Sequence, residues 1–214
     1  MTDTEVYVED PGQLYSKRFF SKMQKLRKWQ PPIAKSIGEV YNLKSVVDFG
    51  CASGYYLDGY KESGAEVKGY EYLLENSLEY ISEDIKPFVS QGNVMEDIDC
   101  GQHDLVMSIE VAEHLLPEKS DVFVDNLVRA SKKYILLTAA PPGQGGTGHI
   151  NEQPREYWIE KLEERGFKYS EKDVVKIQSL FKNLPRSRYM KLIKRQIMFF
   201  VKEYNETDNL TGLI

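Results

Sequence analysis

Glu110, Glu113 and His114 close the stretch HDLVMSIEVAEHL, and a second histidine, His149, stands in the glycine-rich run PPGQGGTGHINEQP. A histidine titrates near neutrality and can take a proton from a hydroxyl. Two carboxylates and two imidazoles are also a sufficient donor set for a divalent cation such as Mg, which would lower the pKa of a bound hydroxyl. A plainer reading stays open beside these, in which Glu113 and His114 only cap a helix and anchor a loop. The remaining histidine, His103, begins an apolar segment and reads as structural.

VVDFGCASG, residues 46–54, points to a different ligand. A glycine at the end of a strand lets the backbone approach a ligand closely, and the next helix offers free N–H groups. Gly50 and Gly54 are spaced G-x-x-x-G, not the G-x-G-x-x-G of a dinucleotide fingerprint. Asp48, two residues before Gly50, would repel a pyrophosphate. An acid there favours a ligand carrying positive charge.

These residues need elements to hold them. Apolar residues at helical spacing from Leu14 to Leu26 predict a helix stopping at Pro31-Pro32, and Pro32 opens a second helix to about Tyr41. SVVDF, EVKGYE, PFVSQG, HDLVMSIE and KYILLTAA read as strands. YYLDGYKESG, LLENSLEYIS, SDVFVDNLVRAS (opened by Ser120) and EQPREYWIEKLEERGF read as helices. In the last, Asn151 is the expected cap and Tyr157, Trp158 and Leu162 pack inward. KYSEKDVVKIQ and RQIMFFVKEY read as two long strands joined only by SLFKNLPRSR. Alternating strands and helices imply a parallel sheet covered on both faces, with an antiparallel strand added at the end. Gly143, Gly145, Gly146 and Gly148 make the loop before His149 a candidate lid.

The totals set limits. The chain has 214 residues, enough for one domain. Its two cysteines, Cys51 and Cys100, do not make a disulfide framework. No apolar run is long enough to span a bilayer and the N-terminus is polar, so a cytoplasmic protein is expected. The net charge of -5 is unevenly spread. Residues 13–38 hold seven Lys or Arg and no acid, and residues 174–202 hold eight and no acid. Either the two segments grip an anion such as RNA, or they are a solvated helix face and a lysine-guarded strand edge.

D-x-G-C-x-S-G after an apolar strand resembles the first motif of class I S-adenosylmethionine-dependent methyltransferases. The resemblance runs from about Val46 to Phe167. It implies a Rossmann-like α/β fold with a seven-stranded, mostly parallel sheet, a terminal antiparallel strand and an N-terminal helical cap. Residues 1–42 would then form the cap, 43–204 the methyltransferase domain and 205–214 a polar tail. It also implies that Gly50, Cys51, Ala52 and Gly54 pass under the amino-acid part of the cofactor, with Asp48 near its amine. Glu71, 23 residues after Asp48, would hold the ribose, with Tyr72 beside it. QGNVMED is similar to the adenine-side turn, with Asn93 where an Asp is usual, so Asn93 or the backbone of Val94 would meet the adenine. Glu110 lies at the cofactor edge.

E-x-x-E-H with a later histidine is similar to the metal site of small-RNA 3′-terminal 2′-O-methyltransferases, and to a motif of ubiquinone-biosynthesis O-methyltransferases. On that likeness Glu110, Glu113, His114 and His149 would hold the cation. H-x-N-x-Q before an aromatic helix looks like methyltransferases of surface-glycan synthesis. The expected function is methylation of a hydroxyl on a small or sugar-like acceptor, with or without phosphate, with His149, His114 and Glu113 as catalytic groups. Tyr15, Phe19 and Phe20 would shape the acceptor site. Metal-assisted methylation of an RNA 2′-hydroxyl and a non-catalytic binding role are the alternatives.

Overall fold

A computed structural model describes residues 15–184 and 187–203, so the polar tail and the first residues of the cap lie outside the described part. Seven strands form one sheet in the order β3-β2-β1-β4-β5-β7-β6. β1 (Ser45–Phe49) is central and pairs in parallel with β2 (Glu66–Glu71) and β4 (His103–Ile109). β3 (Val89–Gln91) extends the sheet beyond β2, and β5 (Ser131–Thr138) extends it beyond β4. The chain therefore steps from β1 to opposite sides of itself, which opens a crevice at the carboxyl ends of β1 and β4.

The sheet is apolar on both faces because alternate side chains point to opposite sides. Val46, Leu105 and Met107 join one core, with Ile33 and Ile37 of α2 (Gln30–Tyr41) and Leu57 and Tyr60 of α3 (Tyr55–Glu62). Val47, Phe49 and Val106 join the other, with Phe123 and Leu127 of α5 (Ser120–Ala130) and Trp158 and Leu162 of α6 (Arg155–Glu163). Asp48 falls on the same side as Val46, at the point where the strand leaves the core.

The cap is α1 (Lys17–Met23), a 3-10 turn (Gln24–Lys28) and α2, with Pro31 and Pro32 in the first turn of α2. LLENSLEYIS makes only the short α4 (Leu74–Ser77) and a 3-10 turn (Leu78–Tyr80). Among the described residues no helix is long and apolar enough to cross a membrane.

The C-terminal third departs from the sequence reading. KYSEKDVVKIQ is not one strand: β6 is only Phe167–Tyr169, and α7 (Glu171–Leu180) follows. Val174 and Ile177, three apart, are buried while Val175 is 59% exposed, the signature of a helix face. The connection to the final strand also holds α8 (Arg188–Gln196), whose N-terminus is capped by Ser187 accepting from Met190 N–H. β7 (Met198–Lys202) is antiparallel as expected, but it lies between β5 and β6 instead of at the sheet edge. The second basic segment is thus largely helix surface, not a guarded edge. Two expected caps are also absent. Ser120 is the first residue of α5 and its Oγ accepts from Asn151 Nδ2 at 3.1 Å. Asn151 is buried beneath the site, and Pro154 flanks α6.

Candidate active site

Gly50 follows β1 with φ of 83°, a conformation open to glycine, and a Cβ there would stand 2.4 Å from Val111 Cγ2. The N–H groups of Gly50 and Cys51 donate to Tyr70 O at 2.8 and 3.1 Å. Ala52 N–H donates to Glu71 Oε2 at 2.8 Å and Leu73 N–H to Oε1 at 3.3 Å. Glu71 therefore ties the glycine loop to the end of β2. Burial raises its pKa and those N–H bonds oppose the rise.

Asp48 is 2% exposed, and it borders the pocket beside the glycine loop. Burial, and then the charge of Glu71, push its pKa up to about 8. A buried carboxylate is costly alone and favourable beside a cation. The space against it is a 40 Å³ pocket lined by Asp48, Gly50, Cys51, Ser53 and Tyr56, roofed by Met23 and Gln30 of the cap and by Tyr189 of α8.

Gly50, Ala52, Met23 and Tyr189 also border a cavity of 800 Å³, within the range of small-molecule sites. On one side it is lined by Glu71, Tyr72, Asn93 and Val94, and on the other by Glu110, Glu113, His114 and His149. Gly54, at the N-terminus of α3, is the one expected cofactor residue that borders neither space. Asn93 Oδ1 accepts from Met95 N–H at 3.0 Å and its Nδ2 donates to Glu96. One lone pair of the amide oxygen is thus engaged within its own turn, beside Val94, the other expected adenine contact. Tyr15, Phe19 and Phe20 of the cap line the same cavity, and Phe20 stacks on Tyr80.

The chemistry-bearing end is built by two loops bonded to each other. After β4, Glu110 takes a positive φ of 55°; its N–H donates to Thr138 Oγ1 at 3.0 Å, and that hydroxyl donates to Glu110 Oε1 at 2.8 Å. A 3-10 turn (Ala112–His114) follows. Glu113 O accepts from Ile150 and Asn151 N–H at 2.9 and 3.0 Å, and His114 Nδ1 donates to Gly148 O at 3.0 Å. The segment around His149 is therefore anchored, although its glycine content suggests a pliable lid.

Glu113 is fully buried, and neither carboxylate oxygen has a partner among the described residues. Burial, then the charge of Glu110, raise its pKa. His114 is pushed down to about 4 by burial and then by His149. With Nδ1 donating, its Nε2 carries the lone pair. His149 Nδ1 lies 2.8 Å from Glu152 Oε1, so its Nε2 is likewise the free acceptor.

Donor atoms of Glu113, His114 and His149 all lie within 4.8 Å of one another. Glu110, expected as a fourth ligand, stands outside that group with Oε1 engaged by Thr138. The three residues fit a divalent cation: one orphaned carboxylate and two imidazoles, each oriented through its other nitrogen.

Sequence reasoning missed three participants. Glu152 lies three residues after His149, a spacing visible in HINE but not weighed. Tyr189 lies just after SLFKNLPRSR, the stretch read as a bare connection, and was given no role. Gln144 Oε1 accepts from Gln196 Nε2 at 2.6 Å, which links the glycine loop to α8.

No family model matches the chain, and no curated protein matches it. Solved structures do. The sugar N-methyltransferase KedS8 from Streptoalloteichus superposes with TM-score 0.61 at 13% identity, over 95% of this chain and 98% of that one. Magnesium protoporphyrin IX methyltransferase (ChlM) from Synechocystis, with bound SAH, gives 0.57 at 13%, over 95% and 90%. An O-methyltransferase family protein from Burkholderia thailandensis gives 0.61 at 13%, over 87% of this chain, which spans 58% of that protein. At such identities the likeness is one of fold. The chain has the fold of class I S-adenosylmethionine-dependent methyltransferases.

Proposed function

We propose that this chain is an S-adenosylmethionine-dependent methyltransferase acting on a hydroxyl of a small or sugar-like acceptor. The observation that carries the reading is Asp48, a buried acid with a raised pKa, beside a glycine loop that opens on the cavity containing His149. S-adenosylmethionine supplies an electrophilic methyl on a positively charged sulfur. Asp48 attracts the cationic methionyl end, the Gly50 backbone lets it approach, and Glu71 accepts from the ribose hydroxyls. Asn93 or the backbone of Val94 meets the adenine.

The acceptor enters on the side of Tyr15, Phe19 and the two histidines. Transfer is an in-line displacement, so position contributes most of the rate. His149 Nε2 takes the hydroxyl proton as the C–O bond forms and the C–S bond breaks, leaving a neutral thioether. Arg18 and Lys22, which border the same cavity, suit an acceptor bearing phosphate. If His149 Nε2 instead joined Glu113 and His114 on a divalent cation, the cation would lower the pKa of the acceptor hydroxyl and that nitrogen would no longer be the base.

A second reading, metal-assisted methylation of an RNA 2′-hydroxyl, is favoured by the unpartnered oxygens of Glu113 and by the basic surface of the cap and α8. Methyl-labelled cofactor incubated with cell extract, with and without EDTA, separates the two. Label in a nuclease-resistant small or sugar-like fraction, lost in His149→Ala, supports the first. Label in RNA, abolished by EDTA, supports the second. Cofactor binding with no transfer to any fraction would favour a non-catalytic role.

A further inference from the structure

We propose that Glu152 is the positioning residue of the site: it sets the tautomer and the orientation of His149 by clamping the imidazole and the glycine loop to one carboxylate. The proposal rests on the role given to His149 above. Oε1 of Glu152 accepts from His149 Nδ1 at 2.8 Å and from Gly145 N–H at 2.7 Å, while Oε2 accepts from Gly143 N–H at 2.8 Å. Three donors from a seven-residue stretch thus converge on one side chain that is only 17% exposed.

An ionised carboxylate only accepts hydrogen bonds, so the nitrogen facing it must carry the proton. Nδ1–H is thereby fixed and the lone pair is placed on Nε2. The other side of the ring is fixed by contact. A Cβ on Gly146 would lie 2.3 Å from His149 Nε2 and 2.6 Å from Cδ2 and Cε1, so the imidazole rests against a backbone that has room for it only at glycine. Glu152 orients the ring from its Nδ1 edge and Gly146 supports one face of it, which leaves the Nε2 edge open. Folding of the Gly143–Gly145 turn and preparation of the base are one event, because the same carboxylate serves both.

The clamp is read without any turnover by nitrogen-15 spectra of histidine-labelled protein, with the His149 signals assigned by their absence in His149→Asn. The neutral wild-type ring is expected to be the Nδ1–H tautomer. In Glu152→Ala it is expected to move toward Nε2–H or a mixture, and Glu152→Gln, which keeps one acceptor oxygen, is expected to restore it in part. A wild-type ring in the Nε2–H form overturns the proposal, and so does an unchanged tautomer in Glu152→Ala. Methyl transfer supplies a second readout: Glu152→Ala is expected to lower kcat about 10–100-fold with the acceptor KM nearly unchanged. A correct tautomer in a protein that transfers no methyl group would count against the methyltransferase reading and leave the clamp standing.

Discussion

The rings of His114 and His149 meet edge to face, with centroids 4.8 Å apart and planes at 90°. One belongs to the turn after β4 and the other to the loop after β5, so their contact joins the two loops above the carboxyl edge of the sheet. Their remaining partners differ, and so do the consequences of removing them. His114 donates to a carbonyl of the opposite loop, whereas His149 is held by Glu152 with its second nitrogen free.

His149→Ala is expected to lower kcat by roughly 100- to 10,000-fold, the usual worth of a general base. Cofactor affinity should stay within about twofold, since the ring lies on the acceptor side of the cavity. His114→Ala instead leaves Gly148 O without its donor, and about 1–3 kcal/mol of stability should be lost. Steady-state kinetics beside chemical denaturation of both variants checks the division.

Asp48 gives the ligand-free protein a characteristic response to pH. Its ordinary pKa of 3.8 rises to about 8 in the folded chain. Between those values the folded state holds a proton that the unfolded state has released. The stability contribution of this group is therefore full below 3.8 and falls as pH rises toward 8, by at most about 1.4 kcal/mol per unit. Asp48→Asn should flatten this part of the profile. Urea unfolding at pH 5 and pH 8, compared between the two proteins, measures it. Saturating cofactor should also flatten it, because a cation beside Asp48 favours the ionised form.

Gly50→Ala places a methyl group against Val111 and forces a side chain into a left-handed backbone. A loss of at least about 1–2 kcal/mol is expected, seen as a lowered midpoint in thermal melts. The glycine loop should shift away from Asp48, so cofactor affinity should fall with it.

Trp158 belongs to the core, fully buried in edge-to-face contact with Phe123. Trp158→Ala should cost about 3–5 kcal/mol, with cofactor affinity per folded molecule preserved. A stable variant that had lost only acceptor binding would show that the ring is a substrate platform instead.

The parts of the fold readable in the sequence were those written locally. SVVDF and HDLVMSIE are short apolar runs bounded by turn residues, and they became β1 and β4. Asp48 and Glu71 announced themselves by ending strands. The C-terminal third was not legible because EKDVVKIQ fits both alternation and helical spacing. Only packing of Val174 and Ile177 onto the sheet, with the Tyr41 hydroxyl bonded to Asp173 at 2.9 Å, selects the helix. Glu110 illustrates the opposite case: E-x-x-E-H together with His149 suggested four equivalent ligands, but one Glu110 oxygen accepts from the Thr138 hydroxyl and the donor atoms that gather are those of Glu113, His114 and His149.

Calorimetric titration of S-adenosylmethionine into the wild-type protein and Asp48→Asn tests the central claim most directly. The account predicts one site per chain in the wild type and affinity weakened about 10- to 100-fold in the variant, as expected for a lost charge-assisted contact of about 1.5–3 kcal/mol. No binding to the wild type, or equal binding to both proteins, would contradict the assignment of the β1 loop as the cofactor site.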